Sequence, residues 1–160
     1  MSNTQISLFL QMALKQWEGS CNRAEKILKL TTSEKYVSKV APGSNTVAWV
    51  FGHLTWVHDN MHTLLDFREP LFPALNETLS NKAKLVHEVI SQEDLSIMWK
   101  EVNGSLYDTF LVLSADQWLA KHTAVSNEDF LREPHRNKLN VLLNRTAHLN
   151  HHLGQLALIK

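Results

Sequence analysis

Histidines hold most of the chemistry open to this chain, which has nine of them in 160 residues. Two stretches stand out: Phe51-Gly52-His53-Leu54, and His148-Leu149-Asn150-His151-His152-Leu153-Gly154-Gln155 near the C-terminus. On a helix, His148 and His152 lie about 40° apart on one face. That is the spacing by which two helical imidazoles chelate one ion. His53 adds a third imidazole from a second helical segment. Three neutral protein ligands leave one tetrahedral position open, which is the arrangement of catalytic rather than structural zinc sites.

Spacing alone is weak, because His58 and His62 repeat the same gap. Orientation separates the pairs. His148 and His152 share a face with Val141, Gln155 and Ile159, beside the leucine stripe of their helix. His53 shares its face with Trp49, Trp56 and Asn60. His58 and His62 lie roughly 140° and 180° around the helix from His53. They fall near Asp59 and Asp66, so both are expected on the solvated side. His151 turns away from the core. Three inward histidines must be hydrogen-bonded or share a metal; spacing and orientation leave both open. Trp49 and Trp56 either line a pocket or belong to the core. Gln155 either orients a ligand or fills a polar bundle-facing position. Gly52 and Gly154 sit inside helices, where close helix approach would explain them.

Four long amphipathic segments must position these residues. The first runs from about Thr4 to Leu30, with Leu10, Leu14, Trp17, Cys21, Ala24 and Leu28 on its stripe. Ser33 to Val40 could add a turn or two before Ala41-Pro42-Gly43 breaks the chain. The second starts at Ser44 or Asn45 and runs to about Phe67, where Arg68-Glu69-Pro70 stops it. The connection from Arg68 to Ile90 is long and contains a short helix at Lys82–Ile90. The third begins after Ser91, whose Ser91-Gln92-Glu93-Asp94 approximates a capping box, and Ser114-Ala115-Asp116-Gln117 starts a brief further helix. The fourth runs from about Asn137 to Ile159. No convincing strand alternation occurs. The pattern predicts an all-α fold: one four-helix bundle spanning residues 1–160, with a crossover long enough to let helices two and three lie parallel.

Composition narrows the function classes. Sixteen basic and sixteen acidic residues balance, which argues against a nucleic-acid partner. Cys21 is the only cysteine, so there is neither an intrachain disulfide nor a multi-cysteine zinc site. No basic region precedes the short apolar Ile6–Leu10 stretch, and no apolar run approaches the roughly 20 residues of a membrane span. A cytoplasmic protein with no membrane partner is expected.

Gly52-His53-Leu54 and the C-terminal His-x-x-x-His-x-Gly-Gln resemble the signature of the DinB/YfiT-like superfamily. The entry Pro42-Gly43-Ser44-Asn45-Thr46-Val47-Ala48-Trp49 and the later Leu113-Ser114-Ala115-Asp116-Gln117-Trp118 look similar too. The resemblance covers essentially the whole chain in order. It implies an up-down-down-up four-helix bundle, a homodimer, and a divalent metal, often zinc or nickel, held by His53, His148 and His152. The family includes transferases that use bacillithiol or mycothiol, a maleylpyruvate isomerase, and members described as metal-dependent hydrolases.

An open three-histidine site could activate water or a thiol. Metallohydrolases commonly place a carboxylate base beside the metal, as in His-Glu-x-x-His. Here His87-Glu88 is followed by Ser91 where the second histidine would stand, and the nearest polar neighbours, Asn60 and Gln155, are not bases. The expectation is a transferase acting on a low-molecular-weight thiol and a small electrophile. The alternatives are a hydrolase, with Glu18 or Glu25 supplying the base, and a non-catalytic metal-binding stress-response protein.

Overall fold

The computed structural model describes residues 3–80 and 85–159. It is helical throughout, with no strand among the described residues and only two isolated bridges, Lys39 with Thr46 and Lys121 with Asn137. The first helix, α1 (Asn3–Leu30), is followed by the short α2 (Ser33–Val37). Next come α3 (Val47–Asp59) and α4 (Met61–Leu64), broken at Asn60. The connection folds as α5 (Ala74–Ser80) and α6 (Val86–Val89). Then follow α7 (Gln92–Val112), α8 (Ala115–Leu119), α9 (Asn127–Arg132) and α10 (Lys138–Leu156).

Capping side chains set most of these boundaries. Thr46, not Ser44 or Asn45, caps α3, its hydroxyl accepting from Trp49 N at 3.2 Å. Ser91 accepts from Asp94 N at 3.0 Å, and Asn137 from Asn140 N at 2.9 Å. Ser114 and Gln117 close a reciprocal capping box at the start of α8. The second segment ends earlier than expected. Asp66 adopts φ 59°, and the Phe67 amide turns back onto His62 O at 2.8 Å. The helix expected at Lys82–Ile90 is seen as α6; residues 81–84 lie outside the described residues. Two helices were not expected, α5 and α9.

The expected stripes of α1 and α7 form the centre of the core. Trp17, Ala24 and Leu28 of α1 and Leu95, Trp99, Val102, Leu106 and Phe110 of α7 are buried. The helix α1 packs on both α7 and α10, and α3 packs on the same two. Gln92, at the start of α7, donates to the Leu28 and Thr31 carbonyls at the end of α1, both at 2.8 Å, so α1 and α7 run antiparallel. Lys138, at the start of α10, bonds the Leu65 carbonyl just beyond α4, so α3 and α10 also oppose each other.

The connection does not hang free. Both α5 and α6 pack on α3. A Cβ added at Gly52 would stand 3.1 Å from Val86 Cγ1 of α6, so the close approach that favours glycine there is to the crossover. Gly154 has open space where a Cβ would go, so close helix approach does not explain it.

Covered by these elements on its outer side, α3 has almost no solvated face. This corrects the expectation for His58 and His62: both are fully buried, and Asp59 is 1% exposed. The angle from His53 was right, but helix two turns a second face inward. His58 lies between Trp17 and Trp99, with ring centroids 4.4 and 4.9 Å away. His62 meets Ser105 Oγ of α7 at 3.0 Å.

Candidate metal centre

His53 comes from the middle of α3, and His148 and His152 from successive turns of α10. The antiparallel packing of these helices brings the three rings together. His53 Nε2 lies 3.3 Å from His148 Nε2, and His152 Nε2 lies 3.1 Å from His148 Nε2. All three ligand atoms fall within 4.8 Å of one another. Tetrahedral zinc–imidazole bonds of about 2.0–2.1 Å would place neighbouring nitrogens roughly 3.3 Å apart. The donor set therefore fits a small divalent ion.

The hydrogen-bond geometry fixes the tautomer of one of the three rings. His152 Nδ1 is 2.8 Å from Gln155 Oε1, the geometry of an N–H donating to a carbonyl oxygen. Its Nε2 is then a bare lone pair facing His148. Gln155 in turn donates from Nε2 to His151 Nε2 at 3.2 Å. His148 Nδ1 is buried with no hydrogen-bond partner. Either a cation or the single N–H of a neutral His148 can lie between these nitrogens, and a second proton on any of the rings is disfavoured. Burial, then repulsion from His148, His152 and Arg145 were they to share the site as cations, pushes His53 down to about 4. Burial, then His152, Arg145 and His151, pushes His148 to about 4. Burial also lowers His152, against the hydrogen bond from Gln155. At neutral pH the three rings are uncharged, the form that ligates metal.

The other expected residues surround them. Trp49 stacks on His53, with centroids 4.9 Å apart and planes within 5°. Trp56 lies on the opposite side, its ring centroid 6.0 Å from that of His53. Asn60, at the break between α3 and α4, donates its side-chain amide to the Trp56 carbonyl at 2.8 Å. His151 is exposed, as its angle on α10 predicts. His152 and Gln155 also line an open cleft of about 260 Å³ with Ser44 and Asn45, which gives the triad an edge toward solvent.

The polar chain around His58 was missed from sequence. Asn103 Nδ2 donates to the Trp99 carbonyl at 2.7 Å, so its Oδ1 must face the other way. That oxygen accepts from His58 Nδ1 at 2.7 Å and from the Cys21 thiol at 3.3 Å. His58 is thus the Nδ1–H tautomer, and its buried Nε2 has no partner. Burial drives it to about 3, against the bond to Asn103. An unfolded histidine titrates near 6.5. As pH falls below that value the unfolded chain binds a proton that the folded chain refuses, so stability declines from about pH 6.5 toward pH 3. From His58 alone the slope is at most about 1.4 kcal/mol per pH unit. Urea midpoints of chelator-treated protein between about pH 7 and pH 4.5 should fall accordingly, and His58→Phe should flatten the slope. Equal slopes in the two proteins would remove His58 from this role.

Among curated proteins, no sequence matches the chain. The sequence profile of the DinB superfamily matches residues 16–156. The matched span begins within α1, ends with the last residue of α10, and includes all three converging histidines. The chain belongs to the DinB superfamily.

Proposed function

We propose that this protein is a metal-dependent transferase, in which His53, His148 and His152 hold one divalent ion, zinc or nickel, and a low-molecular-weight thiol takes the open position. The fold we assign is the up-down-down-up four-helix bundle, with α1, the α3–α4 segment, α7 and α10 as its four helices. The antiparallel pairs α1–α7 and α3–α10, with residues 65–91 crossing over between α3 and α7, support that order. A cytoplasmic homodimer completes the proposal, on the family resemblance; no described helix is long and apolar enough to cross a membrane.

The observation that carries the choice of thiol over water is the charge around the triad. The groups that act on His53 and His148 are other histidines and Arg145, with no carboxylate among them. The two glutamates that could have served a hydrolase, Glu18 and Glu25, line a different cleft with Cys21, Asn103 and Tyr107, between α1 and α7. A hydrolase needs a base to take the proton of water; a thiol needs only to be held as thiolate. The metal, when bound, supplies that by favouring the ionised sulfur. The chain's own part is positioning. Trp49 fixes the plane of the His53 ring, Gln155 fixes the tautomer of His152, and the two tryptophans give an electrophile an apolar wall.

Metal-loaded protein incubated with cysteine and a panel of small electrophiles should consume thiol at a rate that falls to background on chelation. No metal-dependent consumption across the panel would overturn the transferase. Metal-dependent ester or amide hydrolysis without thiol would replace it with the hydrolase.

A further inference from the structure

The face of α10 that carries His148 and His152 carries one more residue whose chemistry is unspent. Arg145 lies three residues before His148, about 60° around the helix. It is partly buried, yet no hydrogen bond or ion pair to it exists among the described residues. Its charge acts on four histidines, His53, His58, His122 and His148. Burial lowers its own pKa, and no carboxylate offsets that. A desolvated guanidinium without an anion is costly.

The facing helix supplies a second free donor. Because α3 and α10 oppose each other, stepping from His148 back to Arg145 corresponds to stepping from His53 on to Trp56. Trp56 Nε1, which can only donate, is buried without an acceptor. Two unpartnered donors thus occupy facing helices at one level, about one helical turn, roughly 5 Å, from His53 and His148 and about two turns from His152. Guanidinium groups recognise planar and tetrahedral oxyanions through paired N–H donors.

We propose that Arg145, assisted by Trp56 Nε1, anchors an oxyanion of the molecule whose sulfur takes the open position at the triad. The inference rests on the thiol reading for the identity of that molecule and on the unpartnered donors for the anion. The spacing selects short thiols in which two or three carbons separate sulfur from a carboxylate or phosphate.

Cobalt-loaded protein tests it, since thiolate-to-cobalt absorption reports sulfur binding and calorimetry reports anion binding without any turnover. The probes are 3-mercaptopropionate, its neutral amide, propionate and methyl phosphate. The wild type should bind the mercapto acid at least about 10-fold more tightly than the amide, an ordinary yield for a charge-assisted hydrogen bond. Arg145→Gln should bind the two thiols equally. Trp56→Phe, which removes only the N–H, should lower the preference about 2- to 5-fold and carries the test should the arginine variant lose its fold. Acid preference unchanged in both variants, or no preference in the wild type, overturns the anchor. Propionate or methyl phosphate binding that depends on Arg145, with no thiolate absorption from any thiol, keeps the anchor and removes the thiol reading. The tighter of those two anions names the oxyanion.

Discussion

Replacing His148 with alanine should leave the chain folded and unable to retain a divalent metal. His148 is the central member of the triad, its Nε2 within 3.3 Å of both partners, whereas His53 and His152 meet through it. Loss of a residue that only orients a ligand typically costs about 10–100-fold in metal affinity, so loss of a ligand should exceed 100-fold. Gln155→Leu supplies the comparison. It removes the acceptor for His152 Nδ1 and should fall in that smaller range. His151→Ala, one residue away but exposed, should bind like the wild type. Metal content after dialysis against a buffered ion reads the affinity directly. Melting temperature with and without metal reads it a second way, because an ion that binds only the folded state stabilises it by mass action. The wild type should melt higher with metal and His148→Ala should not. Full metal content in His148→Ala would dismiss the triad as a metal centre.

How much of this could be read from sequence follows from where each interaction partner lies. The convergence of the three histidines was legible from their faces on two helices together with the family resemblance, and not from the four-residue gap, which His58 and His62 repeat. The starts of α7, α8 and α10 were legible because their caps are local, within three residues. The same local signal, Ser126 accepting from Asp129 N at 3.0 Å, announces α9, and it was passed over. His58 was not legible. Its partners are Asn103, Trp17 and Trp99, each about 40 residues away along the chain, and a polar residue satisfied by such partners resembles a surface residue in any periodicity plot. The unspent donors on Trp56 and Arg145 were equally hidden, because having no partner is a property of the packed molecule.

Asp59 illustrates the same limit and should produce the largest loss of stability of any single polar residue. Its carboxylate accepts from the Leu71 amide at 2.8 Å through one oxygen and from the Phe72 amide at 2.7 Å through the other. His62 Nδ1 lies 3.4 Å from the first oxygen and donates to the Asp59 carbonyl at 3.0 Å. Burial alone would raise the carboxyl's pKa; the bonds from His62, Leu71 and Phe72 outweigh it and hold it below the usual range. This one side chain therefore fastens the start of the crossover to the end of α3. Asp59→Ala leaves the half-buried Leu71 and Phe72 amides without their acceptor, while His62 keeps the backbone carbonyl of residue 59 and Ser105. Leaving a donor without its acceptor costs about 1–3 kcal/mol for each of the two amides, a large part of the roughly 5–15 kcal/mol that holds a domain together. At about 2–4 °C per kcal/mol, the melting temperature should drop by roughly 10 °C. Asp59→Asn keeps one carbonyl acceptor and should lose about half as much. The depressed pKa adds a sign that can be checked: the carboxylate's contribution is present above the unfolded value near 3.9 and disappears as pH falls through the lower folded value. The difference in stability between wild type and Asp59→Ala should therefore be constant above about pH 5 and shrink only below pH 4. A small loss at neutral pH, or one that stays the same down to about pH 2, would show that the crossover is held by its apolar contacts alone.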